Sequence, residues 1–341
     1  MEQNAEGSTE LSQELLVGGI GFDLADTELL LGTGPLVDFR PNSHSAERTR
    51  IRTQLVGTLF LNVTSPSTTK YINSSPFASV RQSITASNIA HSSNYLSGTA
   101  INEMNEGGDL FALNTSFVSC TAGEPAHLSV HYTKTTFLSE NPTLNSFRLC
   151  TFKFAPTTTV PALTTNYRYT DLIIESCSFD TCQGSSSSAA ILFFLEDDST
   201  NVLVVTSTSF ENCSAGWGSC IYGRVQFATI SECVFLDCSA TGRGGAIWLT
   251  KWNVRSEDTG ISNCLFQNCF TSGTTYSSGG GAIHLYTCIS ILLSSLQFRQ
   301  CQAASAYGHI LYIAGTAEYP IPPLSSVTIV DCFSDQTDTA T

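Results

Sequence analysis

Phenylalanine followed three residues later by cysteine occurs seven times in this chain, at Phe117/Cys120, Phe147/Cys150, Phe179/Cys182, Phe210/Cys213, Phe235/Cys238, Phe266/Cys269 and Phe298/Cys301. Successive phenylalanines are 30, 32, 31, 25, 31 and 32 residues apart. A period of this size marks a unit that buries its apolar side only by stacking on its neighbours. In one unit the phase is open, because Phe152, just after Cys150-Thr151, can set it as well as Phe147.

Further columns keep the same phase. An aliphatic residue stands three before a first cysteine column at Ile174/Cys177, Ile230/Cys233 and Ile261/Cys264, with Val205/Thr208 and Leu293/Leu296 as variants. A second aliphatic follows the phenylalanine by 11 or 12 residues at Leu128, Ile191, Ile221, Ile247 and Ile310. Ile283 comes at 17, the extra length lying around Ser272–Ser277, and Gly-Gly-Ala-Ile introduces this strand at Gly244–Ile247 and Gly280–Ile283. The fragments alternate with period two and carry β-branched and aromatic residues, so they read as short strands. The shortest period is too small for a β-α-β unit of about 30 residues or more. Three short strands per coil of about 25–32 residues predict an all-β solenoid, with coils about 4.8 Å apart and Phe and Cys filling its interior in ladders. A β-sandwich is the runner-up, although it does not explain residue identity held in phase.

Phe-x-x-Cys units alternating with Gly-Gly-Ala-Ile resemble the right-handed parallel β-helix repeats of the pectin-lyase-like superfold. Their texture is similar to that of the polymorphic outer-membrane proteins of chlamydiae and of repeat families of anaerobic protists. The resemblance runs from Asp109 to Asp331; before it, Thr58-Leu59-Phe60-Leu61-Asn62-Val63 reads as a degenerate coil without cysteine. The chlamydial pattern has Phe-x-x-Asn where this chain has Phe-x-x-Cys. The resemblance implies a right-handed parallel β-helix. It also implies a non-catalytic, adhesin-like scaffold at a cell surface or outside the cell, binding a glycan or protein surface. The alternative on the same fold is a polysaccharide lyase or glycosidase.

The remaining organisation follows from composition and local pattern. Of 341 residues, 42% are hydrophobic and only 13% charged, and the net charge of −14 would repel nucleic acid. No apolar run reaches the ~18 residues of a membrane span, and Met1–Asn4 lacks the start of a secretory signal. Residues 1–50 form an acidic segment, a cap or a tail, with a short helix expected over Thr9–Val17 that places Leu11, Leu15 and Leu16 on one face. Residues 51–108 are expected to hold degenerate coils, and residues 109–341 regular ones. Ile329–Cys332 repeats the aliphatic-to-Cys step of a new coil that stays incomplete, leaving an open end for a continuation or an end-to-end contact.

Candidate sites lie on the outer face and in the loops. The residue after the second aliphatic reads Leu192, Tyr222, Trp248, His284 and Leu311, an outward stripe suited to glycan rings or a flat partner, or else to packing under a covering loop. Glu196, Asp197 and Asp198, with Glu257 and Asp258 two coils on, are the calcium or acid–base candidates. The cysteines lack C-x-x-C and a recurring histidine partner, so zinc sites of finger type are not expected. Along a ladder the Cβ vectors run parallel, which disfavours disulfides and predicts buried free thiols. His127 and His131 alternate with Leu128 and Val130 as on a strand, so they do not converge on a metal. Gly308-His309 lacks the companion motifs of pectin-cleaving hydrolases. Gly242-Arg243-Gly244-Gly245 is a turn before a strand, not a phosphate loop. Sequons at Asn62, Asn73, Asn114 and Asn212 are compatible with secretion. No cofactor is implied.

Overall fold

The computed structural model describes the backbone of strands from Ser12 to Ser334. It describes side chains over residues 146–332, except 154–160, 164–170, 185–187, 194–201, 226, 251–259, 275–277, 287–291, 305–309 and 314–325. Strands two to eight residues long build three long sheets of 11, 10 and 10 strands and two short ones of three and five. Neighbours in each sheet are equivalent strands of successive repeats, and they pair in parallel. Among the described residues there is no helix, and none long and apolar enough to cross a membrane. The stacked parallel sheets are compatible with a parallel β-helix.

The register settles the open phase. Phe152, not Phe147, pairs with Phe117 and Phe179. Phe147 instead stands in the aliphatic column, between Ala112 and Ile174, so Cys150 belongs to the first cysteine column. From Phe152 onward the ladder runs through Phe179, Phe210, Phe235, Phe266 and Phe298, each at most 1% exposed. Ring centroids are 4.5–5.1 Å apart and nearly coplanar in orientation, because backbone pairing imposes the rung spacing on the rings. Phe, Cys and aliphatic columns from all three long sheets join one hydrophobic cluster.

What returns each described cysteine except Cys220 to the interior is a left-handed residue just before it. Leu149, Ser176, Ser207, Glu232, Asn263, Ser295 and Ser326 precede the first cysteine column, and Thr181, Asn212, Asp237, Asn268, Gln300 and Asp331 the second, all with φ between +50° and +59°. For a non-glycine residue this conformation costs about 1–2 kcal/mol, least for Asn, Asp and similar short polar side chains. The carbonyl before this residue accepts the N–H of the equivalent left-handed residue in the preceding coil, as Glu175 accepts from Leu149 and Leu236 from Asn212, and the thiol that follows gives it a second donor. Every described cysteine except Cys220 donates its S–H to the carbonyl two residues earlier, at 3.1–3.9 Å. Thr208, standing in a cysteine column, does the same with its hydroxyl at 2.9 Å to Thr206 and also accepts from the Cys177 N–H. Cysteine is therefore a small apolar rung that also offers a weak second donor to a corner carbonyl. All eleven described cysteines are free thiols.

The Gly-Gly-Ala-Ile turn has its own steric reason. Gly244 and Gly280, and Gly218 in the same place, adopt positive φ, and a Cβ on any of them would strike the carbonyl oxygen of the isoleucine three residues on.

Three sequence expectations are corrected here. Ser12–Gly18 is a strand in parallel register with Arg50–Val56, not part of a helix over Thr9–Val17. Its apolar pairs fit either period, and pairing with a neighbouring backbone decides between them. At the other end, Ile329 pairs with Phe298, and Cys332 accepts from the Cys301 N–H. Ile329–Cys332 thus extends the Phe and second cysteine columns rather than starting an aliphatic-to-Cys step, and Ile329 and Val330 lie exposed in the last strand of their sheet. Finally, Leu311, not Ile310, continues the inward column, opposite Ile283.

Candidate functional site

The outward stripe follows from strand alternation. In the strands Ile221–Arg224, Ile247–Thr250 and Ile283–Tyr286, first and third residues face the core, and second and fourth face away. The second-position row is Leu192, Tyr222, Trp248, His284 and Tyr312. Leu311 is therefore not in the stripe, because a one-residue slip moves a side chain to the other face. Tyr312 takes its place and stacks on His284 at 4.5 Å. Tyr222 and Trp248 stack at 4.4 Å and 9°.

These rings lie outside the hydrophobic cluster of the interior and are nevertheless covered. Tyr222 is 7% exposed, Trp248 6% and His284 1%, so the centre of the stripe is packed under cover, the second of the two readings of this row, while Leu192 and Tyr312 are half-buried. Trp217, from the strand Ser214–Trp217, leans over Tyr222 and Trp248 with centroids at 6.1 and 6.3 Å. It keeps 40% of its own surface in solvent, with the Arg243 guanidinium 5.5 Å from its ring centroid. The fourth-position row brings Arg224, Thr250 and exposed Tyr286 alongside. Burial pushes the Tyr222 phenol up, opposed by the Arg224 and Arg243 charges.

Two polar atoms of this stack are orphans. Trp248 Nε1 and His284 Nε2 are buried without a hydrogen-bond partner, while His284 Nδ1 meets the Gly279 carbonyl at 3.1 Å. Burial, helped by Arg243, lowers the imidazole to about 4 against the opposing pull of Gly279, so it is neutral near pH 7. With Nδ1–H donating to Gly279, Nε2 is an acceptor, one rung from an indole donor.

A second cluster lies inside, and sequence reasoning did not find it. The sulfurs of Cys213, Cys220 and Cys238 are within 4.8 Å of one another and fully buried. Cys213 and Cys238 are ladder rungs, but Cys220 stands where other repeats place Ala162, Ala190, Ala246 and Ala282. A cysteine in an alanine column was the available signal. Hydrogen bonds from Cys182, then Cys220 and Cys238, hold the Cys213 thiol well below its ordinary range, whereas burial pushes Cys220 well above it.

Glu196, Asp197, Asp198, Glu257, Asp258, His127 and His309 lie outside the described residues. Among the described acids, Asp171 accepts from the Val202 N–H at 3.0 Å and Asp180 pairs with Lys153 at 3.0 Å. Both are contacts between neighbouring repeats. Comparison with protein families, curated proteins and solved structures finds no match for this chain.

Proposed function

We propose that this chain is a right-handed parallel β-helix of the pectin-lyase-like kind, non-catalytic and displayed at a cell surface or outside the cell, that binds glycan rings on its outer aromatic face. The handedness rests on the near-universal right-handed crossover between parallel strands of one sheet. The observation that carries the ligand class is the aromatic stack rimmed by exposed Trp217 and Tyr286 and flanked by Arg224 and Arg243. Flat aromatic faces receive the apolar faces of sugar rings, and guanidinium groups bind hydroxyl or carboxylate oxygens.

The test is a glycan array probed with wild-type protein and Trp217→Ala, with Trp fluorescence titration of the hits. Binding that falls at least about tenfold in Trp217→Ala supports the proposal. Binding that is absent, or unchanged in the variant, overturns it. Recovery of a protein partner that Trp217→Ala abolishes, without glycan binding, moves the reading to a protein surface. Polygalacturonate, pectin and neutral glycans serve as cleavage controls. Turnover lost in Asp198→Ala or Asp258→Ala would replace the scaffold reading by the enzyme one.

A further inference from the structure

We infer that Cys220 and Cys238 are the site of a disulfide that cross-links two adjacent repeats through the interior. The repeat itself supplies the control. The other ten described cysteines cap corner carbonyls, whereas Cys220 contacts Ser219 Oγ at 3.6 Å and Cys238 Sγ at 3.0 Å. Its column is alanine in the repeats on either side, so neither packing nor corner geometry calls for sulfur there. Along a ladder, parallel Cβ vectors keep neighbouring sulfurs at rung spacing. Cys220 reaches Cys238 from a different sheet, so that restriction does not apply to this pair. From 3.0 Å, closing to a bond of about 2.05 Å takes roughly 1 Å of movement.

The same sulfurs, with Cys213, could be read as a metal site. Three thiolates about 2.3 Å from an ion would stand about 4 Å apart, within reach of this triangle. Charge and coordination decide against it. An ion held by three thiolates leaves net negative charge among buried Phe, Ile and Ala side chains, a costly arrangement without a paired cation. Zinc also takes a fourth ligand, and among the described residues no further His, Cys, Asp or Glu joins this group of three sulfurs. A disulfide is neutral and leaves Cys213 in its ladder.

The oxidant is a small-molecule disulfide such as oxidised glutathione. One cysteine thiolate attacks it, forming a mixed disulfide and releasing one glutathione thiolate. The second cysteine, as thiolate, attacks the mixed disulfide, forming the Cys220–Cys238 bond and releasing the other. The two cysteine protons end on the two glutathione thiols, and two electrons pass from protein to oxidant. Because both sulfurs are fully buried, the exchange takes place before the two repeats close on each other.

The test is to refold the reduced chain anaerobically in glutathione buffers of increasing oxidised fraction, then to denature, alkylate and map the peptides. Two of the thirteen cysteines should escape alkylation, joined in one Cys220–Cys238 peptide. Cys220→Ala, which restores the residue of its column, should alkylate at all twelve remaining positions, and Cys213→Ala should keep the cross-link. Full alkylation of wild type in the most oxidising buffer overturns the inference. So does a bond to Cys213 instead, or a bound metal with every thiol reduced. The wild-type map decides the matter even where a variant does not fold.

Discussion

Replacing Phe235 by alanine removes an interior ring of the buried ladder. The ring is fully buried and stacked on Phe210 at 4.9 Å and Phe266 at 4.6 Å, parallel to both within 1°. A buried Phe→Ala change costs about 3–5 kcal/mol, depending on how far the site can collapse. Here collapse is restricted, because the rungs above and below are held apart by backbone pairing through Val234–Leu236 on both sides. Two stacking contacts, each worth about 0.5–1.5 kcal/mol beyond area, go with the ring. The upper end, near 5 kcal/mol, is therefore expected. Ile329 occupies the same column but is 58% exposed, so Ile329→Ala should cost less than about 1 kcal/mol. Urea unfolding reads both through the midpoint at constant slope. Because stability in a stacked array is shared between neighbours, hydrogen exchange should show lost protection in the strands on either side of Val234–Leu236. If Phe235→Ala costs no more than Ile329→Ala, the ladder is not what holds these repeats together.

Thr208→Val keeps the shape but leaves the buried Cys177 N–H without its acceptor and takes the second donor from the Thr206 carbonyl, which keeps the Ser176 N–H, and should cost about 1–3 kcal/mol in urea unfolding, whereas Thr208→Cys should be nearly neutral. Equal costs for the two would remove the corner-capping role from the cysteine columns. Gly244→Ala should destabilise by more than the roughly 1–2 kcal/mol of a left-handed alanine, since its Cβ meets the Ile247 carbonyl, while Asn263→Gly should leave the melting temperature unchanged or raised. The His284 imidazole titrates at about 4 folded against about 6.5 unfolded, so the unfolded chain binds the proton first as pH falls. The His284 contribution should be constant above about pH 6.5, cost on the order of 3 kcal/mol between 6.5 and 4, and add no further loss below that. His284→Phe should remove that limb from the stability–pH curve, and an unchanged curve would refute the assignment.

Much of this architecture was legible because the repeat is written in residue types. Phe, Cys and Ile recur in phase, and a side chain that must fill the same interior slot in each repeat leaves that trace whatever the loops do. The stacked parallel strands, the buried phenylalanine ladder from Phe179 to Phe298 and the inward return of the second cysteine all follow from it. Where the trace thins, the pairing partner decides, and that is tertiary. Phe147 and Phe152 both satisfy the local pattern, and only the strands on either side choose between them. Ile310 and Leu311 are equally aliphatic, but alternation on a strand has period two, so one step of register exchanged Leu311 for Tyr312 in the outer stack.

The site was partly legible for the same reason. Tyr222, Trp248 and His284 could be placed on one outward row from phase alone. That a cover could lie over them was also open from the sequence, but not what supplies it, which is Trp217, from the strand before Tyr222, together with the Gly279 turn. Nor was the meeting of Cys220 with Cys238 legible, because the two belong to different columns and come together only across the interior. Sequence determined the columns, since each repeat must present the same apolar shape to the next. Tertiary structure decided what faces what between columns, since those contacts depend on the angle at each corner, which no periodicity encodes.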